Sequence, residues 1–83
     1  MEFKKGDIVL VNDYGLNKLY KNVPRKKRKM KTTLFKVSKQ KNEEIINVDR
    51  MNGTPVLSIL SPDIFRLATP FEIKLYTVKS IFN

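Results

Sequence analysis

A chain of 83 residues that is 41% apolar and 30% charged is enough for one small domain, which buries roughly 60–65% of the surface its unfolded form exposes. Its formal charge of +9 is concentrated: Lys18, Lys21, Arg25, Lys26, Lys27, Arg28, Lys29 and Lys31 carry eight positive charges with no acid among them, while the rest sets nine Lys/Arg against eight Asp/Glu. Cysteine and histidine are both absent, which excludes disulfides, thiolate nucleophiles, Cys or His metal sites and the commonest general base, so no enzyme, metal or other cofactor is expected and a reducing cytoplasm is the default location.

The first element is Ile8-Val9-Leu10-Val11, a β-branched run bounded by Lys5-Gly6-Asp7 and Asn12-Asp13, which predicts a buried strand between turns. It is also the longest wholly apolar run, far short of the roughly 18–20 residues a membrane span requires. The residues before it lack a signal-peptide pattern. From Tyr14 to Lys31 no period-2 pattern exists, and Gly15, Asn17, Asn22 and Pro24 interrupt regular structure. This stretch, about residues 14–31, reads as a long loop anchored by Leu16, Leu19, Tyr20 and Val23, with its basic tip at Arg25–Lys29.

Thr32 to Ser38 resumes strand character, with Thr33, Phe35 and Val37 on one face and Lys36 and Ser38 on the other. After the polar turn Lys39-Gln40-Lys41-Asn42, a strand from Glu43 to Met51 turns Ile46 and Val48 inward. Asn52-Gly53 predicts a type I′ hairpin, because both central residues of that turn need positive φ. Its return strand is Pro55 to Leu60, ended by Pro62, and Ile64-Phe65-Arg66-Leu67 forms a last extended piece. Thr69-Pro70-Phe71-Glu72 is a capping box with Pro at the first helical position, opening a helix over about 70–81. Phe71, Leu75, Val78 and Phe82 form its apolar stripe toward the sheet. The expectation is a mainly β fold: one SH3-like β-barrel of four to five strands spanning 1–83, with a long basic loop after the first strand and a short C-terminal helix.

Three resemblances accompany these residues. Lys5-Gly6-Asp7-Ile8-Val9-Leu10-Val11 resembles the opening strand of KOW modules, SH3-like domains that bind RNA or RNA polymerase, although only Gly15 offers the glycine of their return. The same opening is similar to that of PemK/MazF-type endoribonuclease toxins, but their Arg-Pro pair stands here reversed as Pro24-Arg25, so no catalytic residue carries over. Phe65-Arg66-Leu67-Ala68-Thr69-Pro70-Phe71-Glu72-Ile73 resembles the ending of many small bacteriophage proteins with SH3-like folds, which implies a phage-type regulatory protein without naming an activity.

The basic segment supplies the functional expectation. Lys and Arg gathered without acids neutralise phosphates and release counterions, whereas a merely solubilising face mixes signs. Arg25, Lys26, Lys27, Arg28 and Lys29 are expected as the primary nucleic-acid contacts, Lys18, Lys21 and Lys31 as secondary ones, and Lys36, Lys39 and Lys41 as an extension if the loop folds over that strand face. Arginines there grip phosphates bidentately and lysines act as mobile charges, giving little sequence readout. Tyr14 and Tyr20, at the start of the segment, either pack on the core or stack bases; Phe3, Phe35, Phe65, Phe71 and Phe82 read as core. The acids form no metal-binding or catalytic set. The partner is therefore nucleic acid, DNA or RNA, with an acidic host protein or its nucleic-acid channel as the alternative, and no membrane.

Overall fold

Four strands make one antiparallel sheet in the order β3-β2-β1-β4, where β1 is Ile8–Val11, β2 Phe35–Gln40, β3 Ile46–Arg50 and β4 Phe65–Leu67. This computed structural model describes residues 2–82, with side chains through residue 77. Three helices complete it: α1 Asp13–Tyr20, α2 Pro24–Met30 and α3 Pro70–Phe82. The sheet is open, because β3 and β4 lie at opposite edges and do not pair.

The mainly β SH3-like barrel is therefore incorrect. Residues 14–31 are not a loop. Asn12 caps α1 by accepting from the Gly15 N–H (2.8 Å), and Pro24 starts α2 at the position where its missing N–H costs nothing. Leu16 of α1 belongs to the buried cluster that contains Val9, Val11, Phe35, Val37, Ile46, Val48, Ile64 and Phe65, and Tyr20 and Met30 pack on the same cluster. The helical pair thus covers the sheet face that an opposite barrel wall would have covered.

Gly15 makes the close approach possible. A Cβ at that position would lie 2.6 Å from the Ile64 carbonyl oxygen and 2.7 Å from both Ile64 Cβ and Val11 Cγ1. Asn12 closes the junction from the other side, donating from Nδ2 to the carbonyls of Asp63 (2.8 Å) and Phe65 (3.2 Å), while its own N–H donates to Ile64 O (2.8 Å). One side chain therefore joins the end of β1, the start of α1 and the 3₁₀ turn Pro62–Ile64 that leads into β4.

The hairpin after β3 also differs from expectation. Only Gly53 has positive φ (91°); Gly53 N–H donates to Arg50 O (2.9 Å) and Arg50 N–H to Thr54 O (2.8 Å). That is a three-residue loop ending in a glycine, not a two-residue type I′ turn. The return segment forms no regular strand and touches β3 at two bridges, Asp49↔Pro55 and Ile46↔Leu60. Leu57 and Ile59 between them are 93% and 88% exposed.

The capping box of α3 forms as expected: Thr69 N–H donates to Glu72 Oε1 (3.0 Å) and Glu72 N–H to Thr69 Oγ1 (3.1 Å). Arg66 adds a two-point grip on the same carboxylate, at 2.8 and 2.7 Å. The proposed inward stripe is not the one used. Phe71 is 71% exposed and Leu75 is exposed, whereas Ile73, Tyr76 and Thr77 are half-buried; the side chains of Val78 and Phe82 lie outside the described residues. Phe3, Phe35 and Phe65 are core, as expected.

Candidate nucleic-acid interface

The cationic run lies on two adjoining helices. Lys18 belongs to α1 and Lys21 follows it, both exposed; the Val23 N–H donates to Tyr20 O (3.1 Å) in the short turn into α2. Helix α2 reads Pro-Arg-Lys-Lys-Arg-Lys-Met, has no acid in its first turn, no side-chain cap at its start and no buried residue. It is attached through its apolar ends, half-buried Met30 and the turn at Val23, and through Lys27, whose Nζ donates to Asn17 Oδ1 on α1 (2.6 Å). At its far end the Thr33 hydroxyl donates to Lys29 O (2.8 Å), and Lys31 stands exposed beyond it.

Helical geometry sorts five consecutive cations, since each step turns the side chain by about 100°. Arg25, Lys26 and Lys29 border a groove, Lys27 turns to α1, and Arg28 is exposed away from the groove lining. The groove has a volume of about 660 Å³ and runs between the α1–α2 pair and the segment after the hairpin. Phe35 and Phe65, edge to face with ring centres 6.2 Å apart, form its floor. Leu19, Val23 and Met30 line the helical wall, Val56 and Leu60 the other.

Tyrosines stand under two of the lysines: Lys26 Nζ lies 5.6 Å from the Tyr20 ring centre and Lys18 Nζ 5.5 Å from that of Tyr14. Tyr20 packs partly on the core, and Tyr14 is exposed. Among the described residues the one ion pair is Arg66–Glu72, so no carboxylate neutralises any of the candidate cations. No group of three or more acids among the described residues is placed to hold a metal, and no helix there is long and apolar enough to cross a membrane.

Lys36, Lys39 and Lys41 are not brought to this site. The register sets Lys36 beside Ile8 and Asp49, and Lys39 beside Asn47, on the face opposite Val9, Phe35 and Val48. Lys41 sits in the β2–β3 turn, which Asn42 Oδ1 holds by accepting from the N–H groups of Glu44 and Ile45 (2.7 and 2.9 Å). Helices α1 and α2 fold over the other side of the sheet, so the continuous basic surface expected across that strand face does not form.

Arg50, absent from the expected contacts, does line the groove. Its signal was strand alternation: Ile46 and Val48 point to the core face of β3, and Arg50 follows at the same period, in register with Phe35. Compared with protein-family models, with curated proteins and with solved structures, this chain matches none.

Proposed function

We propose that this protein is a non-enzymatic module that holds nucleic acid through its phosphates, acting in the cytoplasm. The observation that carries the reading is the helical pair α1–α2, which presents eight cations from Lys18 to Lys31 with no carboxylate paired to them. Self-repulsion in such a group costs folding energy, and a polyanion relieves it while releasing its own counterions. Arg25, Lys26, Arg28 and Lys29 are the primary contacts. Lys18, Lys21 and Lys31 flank them, and Lys27 contributes charge while tethered to Asn17. Arg50 joins the set from across the groove. Contacts of this kind fix position and carry little base identity.

The test is a binding titration against duplex, single-stranded DNA and RNA at several salt concentrations, for the parent and for Arg25, Lys26, Arg28 and Lys29 all changed to Glu. With about five or six phosphates engaged, log affinity should fall with log salt at a slope of roughly −4 to −6. The reversed variant should lose binding and nearly all of that slope while remaining folded by circular dichroism, since all four side chains are exposed. Absence of binding to every nucleic acid at low salt, or retrieval of an acidic protein in its place, defeats the reading.

A further inference from the structure

A phosphate-binding surface needs only charge, yet this one borders an apolar depression. Arg25, Lys26 and Lys29 stand on one lip and Arg50 on the other, above the Phe35 and Phe65 floor. Leu19 and Val23 keep exposed apolar surface on the helical wall. The neutral hydroxyls in the lining are those of Tyr20, Thr33 and Ser58, and it contains no carboxylate. The groove persists because α2 is anchored to α1 and buries no residue of its own, so it overhangs the sheet rather than filling the space. Its volume of about 660 Å³ lies within the range of small-molecule sites.

We infer that this groove seats an unstacked base of single-stranded nucleic acid, with the flanking phosphates held on the lip by Arg25, Lys26, Lys29 and Arg50. The inference rests on the nucleic-acid reading and adds the form of the ligand. A nucleotide brings a negative charge and a flat, weakly polar ring in one unit, matching a cationic lip over an apolar floor. A single lipid head group would leave most of the charge unused, because the cations continue past the lip to Lys18, Lys21, Arg28 and Lys31. An acidic peptide meets the charge but presents no large flat group for each carboxylate. In a duplex the bases are stacked inside, so only phosphates reach the lip.

The experiment compares a single-stranded oligothymidylate of roughly 15 nucleotides, an abasic strand of equal length and charge, and a duplex of that length, by fluorescence anisotropy at fixed salt. The oligothymidylate should bind about tenfold or more tightly than the abasic strand. Ser58→Trp, which plugs the groove from an exposed position, should erase that excess and leave duplex binding unchanged. Leu19→Gln, which keeps a helix-compatible residue and every cation, should reduce the excess in the same direction. Equal affinity for the oligothymidylate and abasic strands overturns the base-binding inference and leaves the phosphate reading standing. So does an undiminished excess in both variants with their fold intact. Binding to none of the three ligands removes the phosphate reading and this inference together. Displacement of the strand by a polyglutamate peptide of equal charge, as effective as by oligothymidylate, overturns it in favour of an acidic protein partner.

Discussion

At the residue scale, Asn12 and Gly15 decide where the charges stand. The Asn12 amide uses both its ends, capping α1 with Oδ1 and holding the Asp63 and Phe65 carbonyls with Nδ2, so the helix origin is fixed against chain more than fifty residues away. Gly15 lets α1 lie directly on Ile64 and Val11. Gly15→Ala improves intrinsic helix propensity by about 1 kcal/mol, but the added methyl meets backbone and a branched side chain at under 3 Å. Overpacking of that kind costs roughly 1–3 kcal/mol, and a lower urea midpoint is expected; an unchanged or higher one would show that α1 shifts freely. Glu72 supplies a second residue-scale test. The hydrogen bonds from Arg66 and then from the Thr69 N–H hold its carboxyl down to about 2, below the ordinary 4.5, and the pairing raises Arg66 in turn. A depressed acid stabilises the fold above its unfolded pKa and loses that contribution as pH falls through the folded one. Thermal stability should therefore decline between about pH 4.5 and 2, and less steeply in Glu72→Gln. Parallel profiles for the two proteins would remove the assigned role.

At the element scale, α2 gathers its cations at the expense of its own stability. It puts Arg25 and Lys26 near a helix start, where the dipole disfavours cations, and stacks Arg25 four residues before Lys29. Arg25→Glu reverses both effects and should raise helix content and thermal stability, by about 0.5–1 kcal/mol, while lowering the salt slope of binding by at least about 1. Circular dichroism with a salt titration reads both; a destabilised variant would mean Arg25 makes a structural contact. The α1–α2 pair is also where sequence reading failed. Leu16, Leu19, Tyr20 and Val23 stand at i, i+3, i+4 and i+7, a helical period, but Gly15 and Asn17 argue against helix by propensity. Tertiary packing overrode that propensity, since only glycine fits beneath Ile64. Pro24, read as a breaker, is the first residue of α2, and the Lys/Arg run behind it is made of good helix formers.

At the scale of the whole molecule, what was legible was what depends on neighbours in sequence. The alternation of Val9, Phe35, Val37, Ile46 and Val48, the turn at Gly6-Asp7 and the Thr69–Glu72 box each follow from a few adjacent residues. Closure of the sheet does not, because it depends on whether the residues after Gly53 complete a strand, and they meet β3 at two points only. The candidate site divides the same way. Its charge was visible in Arg25–Lys29, whereas the groove draws residues from α1, α2, every strand and the hairpin's return, and no local pattern reports such a meeting. The return segment bears a mechanical consequence. It is tied to β3 near Val56 and Leu60 and holds Leu57 and Ile59 exposed between those ties, so an outward displacement there would break none of the sheet's ladder bonds. On the base-binding proposal, a groove bounded on this side by so lightly tied a segment should discriminate little by size between purines and pyrimidines.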